Sequence, residues 1–269
     1  ESEADAIIVN TCGFIESAKQ EAIENILEVS AYKTDGNLKA LIVTGCLAER
    51  YRDEIKEQMP EVDTVVGLAG NNDIVDIVKK ALCGDGENVY GKKEDLVIEG
   101  DRMLTTPFYT AYIKIAEGCD NRCAYCVIPS LRGRYRSRTM ESIEEECRAL
   151  VADGAKELIL IAQDTSRYGI DLYGEYSLAK LMRRLCAIEG LRWLRVLYCY
   201  PDSITDELLE TMAAEEKIVP YIDLPLQHAS GKVLRAMNRR GDRQSLTALM
   251  ERIREKVPGA VSYTHLRAH

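Results

Sequence analysis

The chain has 269 residues, 46% of them apolar and 29% charged, with a net charge of −9, which is enough apolar material for a sizeable core in one large or two ordinary domains. No apolar run reaches the roughly eighteen residues of a membrane-spanning helix, so a span is excluded on length alone. Nine cysteines, an odd number, with no apolar signal segment at the start argue against a secreted disulfide scaffold and for a reducing, cytoplasmic setting.

The opening ESEADAIIVN enters a strand almost at once, without the basic segment of a targeting peptide, and reads as a cut inside a longer protein. Asp5 to Asn10 is a short apolar strand, followed by an amphipathic helix from about Ile15 to Tyr32. Leu38 to Thr44 is a second buried strand, after which GCLAER opens a helix; VDTVVG from Val62 makes a third strand and Asn72 to Leu82 a further helix. This alternation predicts a parallel sheet with right-handed crossovers, a small doubly wound α/β domain over residues 1–90.

Cys12 and Cys46 each fall one or two residues past a strand end, in the turn that opens a helix, where open α/β sheets bind ligands. Free cysteines also pack into cores; the repeated context of NTCGF and VTGC favours ligands. Cys83, at a helix end in KKALCGDG, reads as structural. Residues 91–107 are rich in Gly and charge and read as a linker, with the boundary near Thr106. Residues 1–107 carry 11 basic and 22 acidic side chains, against 24 and 22 in the remainder. That asymmetry supports the boundary and argues against a broad nucleic-acid surface in the first part.

Residues 108–260 open with a strand, Tyr109 to Ala116, that runs into EGCDNRCAYCVIPSLRGRYRSR. Cys119, Cys123 and Cys126 stand there in the spacing C-x3-C-x2-C, with no fourth cysteine or histidine close by. A structural zinc site wants four closed ligands, usually as two separated pairs; three thiolates on one loop suit an iron-sulfur cubane that keeps one iron open. Arg132, Arg134, Arg136 and Arg138 follow, readable as a solvated face or as a grip on carboxylate or phosphate. A helix over Ser142 to Ala152 comes next. Then KELILIAQD, LRWLRVLYCY and VPYIDLPLQ as strands alternate with SLAKLMRRLCAI, ITDELLETMAAE and SLTALMERIREKV as helices, a partial (βα) barrel. Cys147, Cys186 and Cys199 fall on apolar faces or in a strand and read as packing. The strand ends carry Gln163 and Asp164, Tyr198 to Pro201, and Gln227 with His228, positions where such barrels gather their functional groups; His228 equally suits a satisfied core histidine.

The C-x3-C-x2-C pattern with Tyr125 before the last cysteine resembles the radical S-adenosylmethionine (SAM) enzymes, and the longer string from Lys114 to Arg138 resembles their methylthiotransferase branch. IAQDTSRYGIDLYGEYS, LYCYPD and YIDLPLQHAS resemble the RimO family, which modifies an aspartate of small-subunit ribosomal protein number twelve. The resemblance implies one [4Fe-4S] cluster on Cys119, Cys123 and Cys126 that binds and cleaves SAM. It implies a second on three cysteines of the first domain, of which VNTCGF and VTGCLAER supply Cys12 and Cys46 while the third lies before residue 1.

On this reading Gln163, Asp164, Gln227 and His228 bind the polar parts of SAM. A 5′-deoxyadenosyl radical takes hydrogen from the aspartate β-carbon, a second SAM supplies the methyl group, and a flavodoxin or ferredoxin supplies electrons. No membrane takes part, and nucleic acid enters only through the ribosome. The alternatives are a tRNA adenosine methylthiotransferase, disfavoured by the acidic first part and the strand-end strings, and a non-enzymatic zinc-binding module. After REKVPGA the family pattern continues with an apolar strand and a β-barrel domain; VSYTHLRAH fits neither, so residues 261–269 are expected to be an unrelated tail.

Overall fold

The computed structural model describes residues 2–96, 100, 102–105 and 107–266. The chain forms two compact units, Glu1–Val97 with Cys126–Gly133, and Ile98–Tyr125 with Arg134–His269. The expected boundary at Thr106 lies outside the described residues.

In the first unit the chain runs β1 (Ala6–Thr11), α1 (Glu16–Ser30), α2 (Tyr32–Asp35), β2 (Ala40–Gly45), α3 (Cys46–Arg50), α4 (Arg52–Gln58), β3 (Thr64–Val65) and α5 (Ile74–Leu82), and the later segment adds α6 (Ile128–Arg132). The sheet order is β1-β2-β3, all parallel. Every residue of β2 is buried, the unbroken apolar run of a strand covered on both faces. Its side chains alternate between two clusters. Leu41 and Val43 join Ala22 and Ile26 of α1 and Ile55 of α4, whereas Ala40 and Ile42 join Ile77 and Ala81 of α5. The predicted helix start at Asn72 is instead a 3-10 turn over Leu68–Asp73; Gly70, Asn71 and Asn72 are poor helix formers and delay α5 to Ile74.

The second unit runs β4 (Thr110–Lys114), β5 (Ala116–Glu117), β6 (Arg136–Ser137), α7 (Met140–Ala152), β7 (Glu157–Ile161), α8 (Leu178–Cys186), β8 (Trp193–Val196), α9 (Asp206–Ala214), β9 (Tyr221–Gln227), α10 (Gly231–Ala236), α11 (Arg243–Lys256) and β10 (Val261–Leu266). Strands β4-β7-β8 form a parallel sheet, β9 and β10 a parallel pair, and β5 and β6 an antiparallel one. Beyond β8 the order continues through the Leu194–Ile218 bridge and the bond from Cys199 N–H to Asp223 O at 2.9 Å. Helix starts are marked by their caps: Thr139 on α7, Thr205 on α9, and an Asp242–Ser245 capping box on α11.

One core cluster takes Ile113 from β4, Leu158 and Leu160 from β7, Leu194 and Val196 from β8 and Leu224 from β9, with the inner faces of α7, α8, α9 and α11. Cys147, Cys186 and Cys199 lie inside it, as expected for packing residues. Burial pushes the Cys147 thiol up to about 12 and Cys186 to about 11, and Cys199 is raised further. The expected tail differs: Val261–Leu266 is a strand, paired in parallel with β9 from Val261↔Tyr221 onward. The exposed Val261 and Tyr263 mark an outward face, and the polar Ser262 and Thr264 interleaved with them hid the strand from a reading based on apolar runs. Residues 267–269 of that segment lie outside the described residues.

Candidate functional site

The cysteine loop follows β5 and is held residue by residue. Asp120 Oδ1 accepts the Tyr135 N–H at 3.1 Å, Asn121 Nδ2 donates to Asp164 Oδ2 at 2.8 Å, and the Arg122 carbonyl accepts from Asn238 Nδ2 at 2.6 Å. Cys123 Sγ accepts from Arg239 Nη1 at 3.7 Å, and Ala124 N–H donates to Met237 O at 2.9 Å. Five consecutive residues are thus fixed by partners outside the loop, the preorganisation that a ligand loop needs. Cys119 is buried, and Cys123 and Cys126 are half-buried; Cys126 opens the segment that belongs to the first unit. Among the described residues no group of three His, Cys, Asp or Glu side chains stands ready to hold a metal ion; it is the chemistry of the donor set, three thiols in one short stretch of sequence, that suits an iron-sulfur cluster with an open iron.

The strand-end residues divide. Asp164 is 1% exposed, and Ser166 donates to its Oδ1 at 2.9 Å while Asn121 takes the other oxygen. Its carbonyl accepts the Tyr135 hydroxyl at 2.9 Å. Burial raises the Asp164 carboxyl above the usual range against the lowering effect of Ser166 and Asn121. Oδ2 therefore holds the cysteine loop through Asn121 while Oδ1 takes Ser166, which gives Asp164, expected at the cofactor, a positioning role as well. Gln163 differs: its Oε1 is buried and has no hydrogen-bond partner, an acceptor available to a ligand.

Gln227 closes β9 with φ 68, and Tyr198 follows β8 with φ 61, a conformation that non-glycine residues seldom adopt and that clusters at functional sites. His228 Nδ1 accepts the Ser230 N–H at 2.8 Å, which fixes that nitrogen as the unprotonated one and commits it to a local turn.

The arginine run does not act as one surface. Arg138 is 5% exposed and donates to Glu146 at 2.5 Å, Ser142 Oγ at 2.9 Å and Lys114 O at 2.9 Å. Arg134 faces Asp120 at 3.4 Å, and Arg132 Nη2 donates to Cys46 Sγ at 3.6 Å within the first unit. The sequence reading missed Asn121, Asn238 and Arg239. An Asn in a cysteine loop and an MNRRG turn carry no periodic signal, and only the fold brings them to the site.

In the first unit, Thr11 pairs with Gly45 at the carboxyl ends of β1 and β2, so Cys12 and Cys46 are each the first residue beyond. The two turns are tied by Thr11 Oγ1 donating to Thr44 O at 2.6 Å and by Arg50 donating to Gly13 O at 3.2 Å. Glycine is required at 13, where a Cβ would stand 2.9 Å from the Cys46 carbonyl carbon. Cys12 is exposed and Cys46 buried. Cys83, expected to be structural, is the exposed C-cap of α5.

Comparison with known proteins places these features. Residues 1–67 match the Uncharacterized protein family UPF0004. Curated relatives named Ribosomal protein uS12 methylthiotransferase RimO include that of Desulforamulus reducens, 54% identical over 268 residues, covering 98% of this chain and 60% of the relative. Those of Clostridium botulinum and Clostridium acetobutylicum are 49% and 47% identical, covering 97% and 98% of this chain and 59% and 60% of theirs. The chain thus spans about three fifths of the length of these relatives.

Among solved structures, the radical SAM methyltransferase TsrM from Kitasatospora setae shares the fold with a TM-score of 0.68 at 14% identity, covering 97% of this chain and 56% of that one. The cobalamin-dependent enzyme OxsB does so at 0.64 and 14%, covering 98% and 41%. The Radical SAM superfamily profile matches residues 113–266, the whole stretch from β4 through the pinned cysteine loop to β10, and the chain belongs to the radical SAM superfamily.

Proposed function

We propose that this chain is the cluster-bearing part of a methylthiotransferase that modifies an aspartate of small-subunit ribosomal protein uS12. The observation that carries the reading is the loop with Cys119, Cys123 and Cys126, fixed at five successive positions beside the strand ends of β7 and β9. The relatives named for that reaction, at 47–54% identity across nearly the whole chain, support the substrate. When bound, a [4Fe-4S] cluster with one open iron supplies the electron that cleaves SAM.

The residues do the rest. The three thiols hold the cluster, and Asp164, through Asn121, keeps the loop in place. Gln163 offers an unpaired acceptor to the amino group or ribose of SAM, and Gln227 and His228 close the neighbouring strand end. Cys12 and Cys46 supply two ligands of a second cluster at the crevice of the first unit. A flavodoxin or ferredoxin delivers the electron, and the work takes place in the cytoplasm. Among the described residues no helix is long and apolar enough to cross a membrane.

Anaerobic reconstitution with iron and sulfide, followed by iron counting and electron paramagnetic resonance with and without SAM, tests this. About four irons per chain on Cys119, Cys123 and Cys126 with a spectrum that changes on adding SAM supports it; zinc alone, or a spectrum blind to SAM, overturns it. Mass spectrometry of ribosomal protein uS12 and of tRNA from a complemented strain then separates the two methylthio acceptors.

A further inference from the structure

Arg239 is a buried cation without a buried anion beside it. It is 7% exposed, and its partners are the Cys123 sulfur at 3.7 Å, the Tyr125 hydroxyl at 3.4 Å and the Pro225 carbonyl at 2.6 Å, with its guanidinium carbon 4.2 Å from the centre of the Tyr200 ring. No carboxylate pairs with it among the described residues. A guanidinium out of water needs a compensating negative charge or a full set of acceptors. Here a sulfur, a phenol, one carbonyl and a ring face surround it, and the sulfur is the one that belongs to the cysteine loop. The sequence places Arg239 on the turn after α10, beside Met237 and Asn238, whose own bonds to Ala124 and Arg122 hold that turn against the loop.

We infer that Arg239 sets the reduction potential of the cluster on the cysteine loop by donating a charged hydrogen bond to the Cys123 sulfur. The inference rests on the proposed function, which puts a cluster there. Adding an electron makes a cluster and its thiolates more negative, and a fixed cation at one ligating sulfur favours the reduced state. Arg239 thus acts through Cys123 as a positioning residue and not on the substrate. Arg235 and Arg240 are exposed, where solvent screens their charge.

The test is a redox titration of the cluster-loaded protein followed by electron paramagnetic resonance, with iron counted in each sample. Arg239→Met is expected to keep its iron and to be harder to reduce, the reduced-to-oxidised ratio at the wild-type midpoint falling about tenfold, equivalent to about 59 mV for one electron. Arg239→Lys keeps the charge but not the planar fork and is expected to shift less in the same direction, while Arg240→Met stays at the wild-type value.

A loaded Arg239→Met protein with the wild-type midpoint overturns the inference, as does an equal shift in Arg240→Met, which would make the effect one of general charge. If Arg239→Met holds no iron, Arg239→Lys decides: a smaller negative shift sustains the inference and an unchanged midpoint overturns it. A wild-type protein that loads no cluster overturns the proposed function together with this inference, whereas a loaded wild type with unmoved variants overturns the inference alone.

Discussion

Asn121 Nδ2 and Asp164 Oδ2 lie 2.8 Å apart, joining the middle of the cysteine loop to the turn after strand β7 across 43 positions of sequence. Because Asp164 is almost fully buried, this bond is made where water does not compete. The strand, buried in the core, is the rigid element and the loop is what it holds.

Removing the acceptor should therefore loosen the loop more than it unfolds the unit. Asp164→Leu removes the acceptor of the Asn121 amide and one acceptor of the Ser166 hydroxyl, which keeps the Tyr200 carbonyl at 3.3 Å; a buried donor left unpaired costs about 1–3 kcal/mol. The expected outcome in denaturant unfolding is a loss toward the lower end of that range, since Asn121 is half-exposed. Iron uptake should fall more steeply than stability. A variant that loads iron like the wild type would show that Asp164 does not organise the loop.

The same carboxyl predicts a pH dependence. Its folded-state pKa is raised by burial, so between the ordinary carboxylate value and the raised one the native state holds more proton than the unfolded state. The contribution of Asp164 to stability accordingly falls as pH rises through that window and is constant above it. Asp164→Asn lacks this slope. Unfolding free energies of the two proteins, measured from acid to neutral pH, should shift in favour of the variant as pH increases; the opposite trend would mean that hydrogen bonds from Asn121 and Ser166 outweigh desolvation.

Much of this was legible in the sequence, for identifiable reasons. Strand β2 is an unbroken apolar run, so the fold class could be read directly, and the spacing of Cys119, Cys123 and Cys126 singled out the residues proposed as ligands. What was hidden depends on distance. Arg239 is 116 positions from Cys123, in a polar turn that looks like any solvated stretch. Strand β10 alternates polar and apolar residues on an outer edge. The arginine run read as one unit because it is contiguous, but Arg138 enters the core of the second unit while Arg132 belongs to the first.

Arg138 gives a stability prediction of its own. Truncating one partner of a buried ion pair costs about 3–5 kcal/mol because the other charge is stranded. Here Arg102 also lies 3.0 Å from Glu146 and continues to neutralise it. Arg138→Met should thus destabilise the second unit toward the lower end of that range, measured by urea unfolding, and Arg138→Met with Glu146→Leu should recover part of the loss. A negligible effect of Arg138→Met would show that the pair is not buried in solution.

Cysteine reactivity separates the ligand thiols from the packing ones. The thiolate is the nucleophile, and a thiol pushed up to about 12, as Cys147 is, is ionised in only about one molecule in ten thousand at pH 8. Cys186 and Cys199 are raised by the same burial. In iron-free, reduced protein, brief alkylation read by peptide mass spectrometry should therefore mark the exposed Cys12 and Cys83 first, Cys46 more slowly because it is buried, and Cys147, Cys186 and Cys199 only after denaturant is added. Loading the cluster should then protect Cys123 and Cys126 and leave the Cys83 rate unchanged, since Cys83 stands at a helix end with no ligand role. Protection of Cys12 on loading would show that the first unit holds iron with the ligands present in this chain, whereas undiminished labelling of Cys123 would remove it from the ligand set.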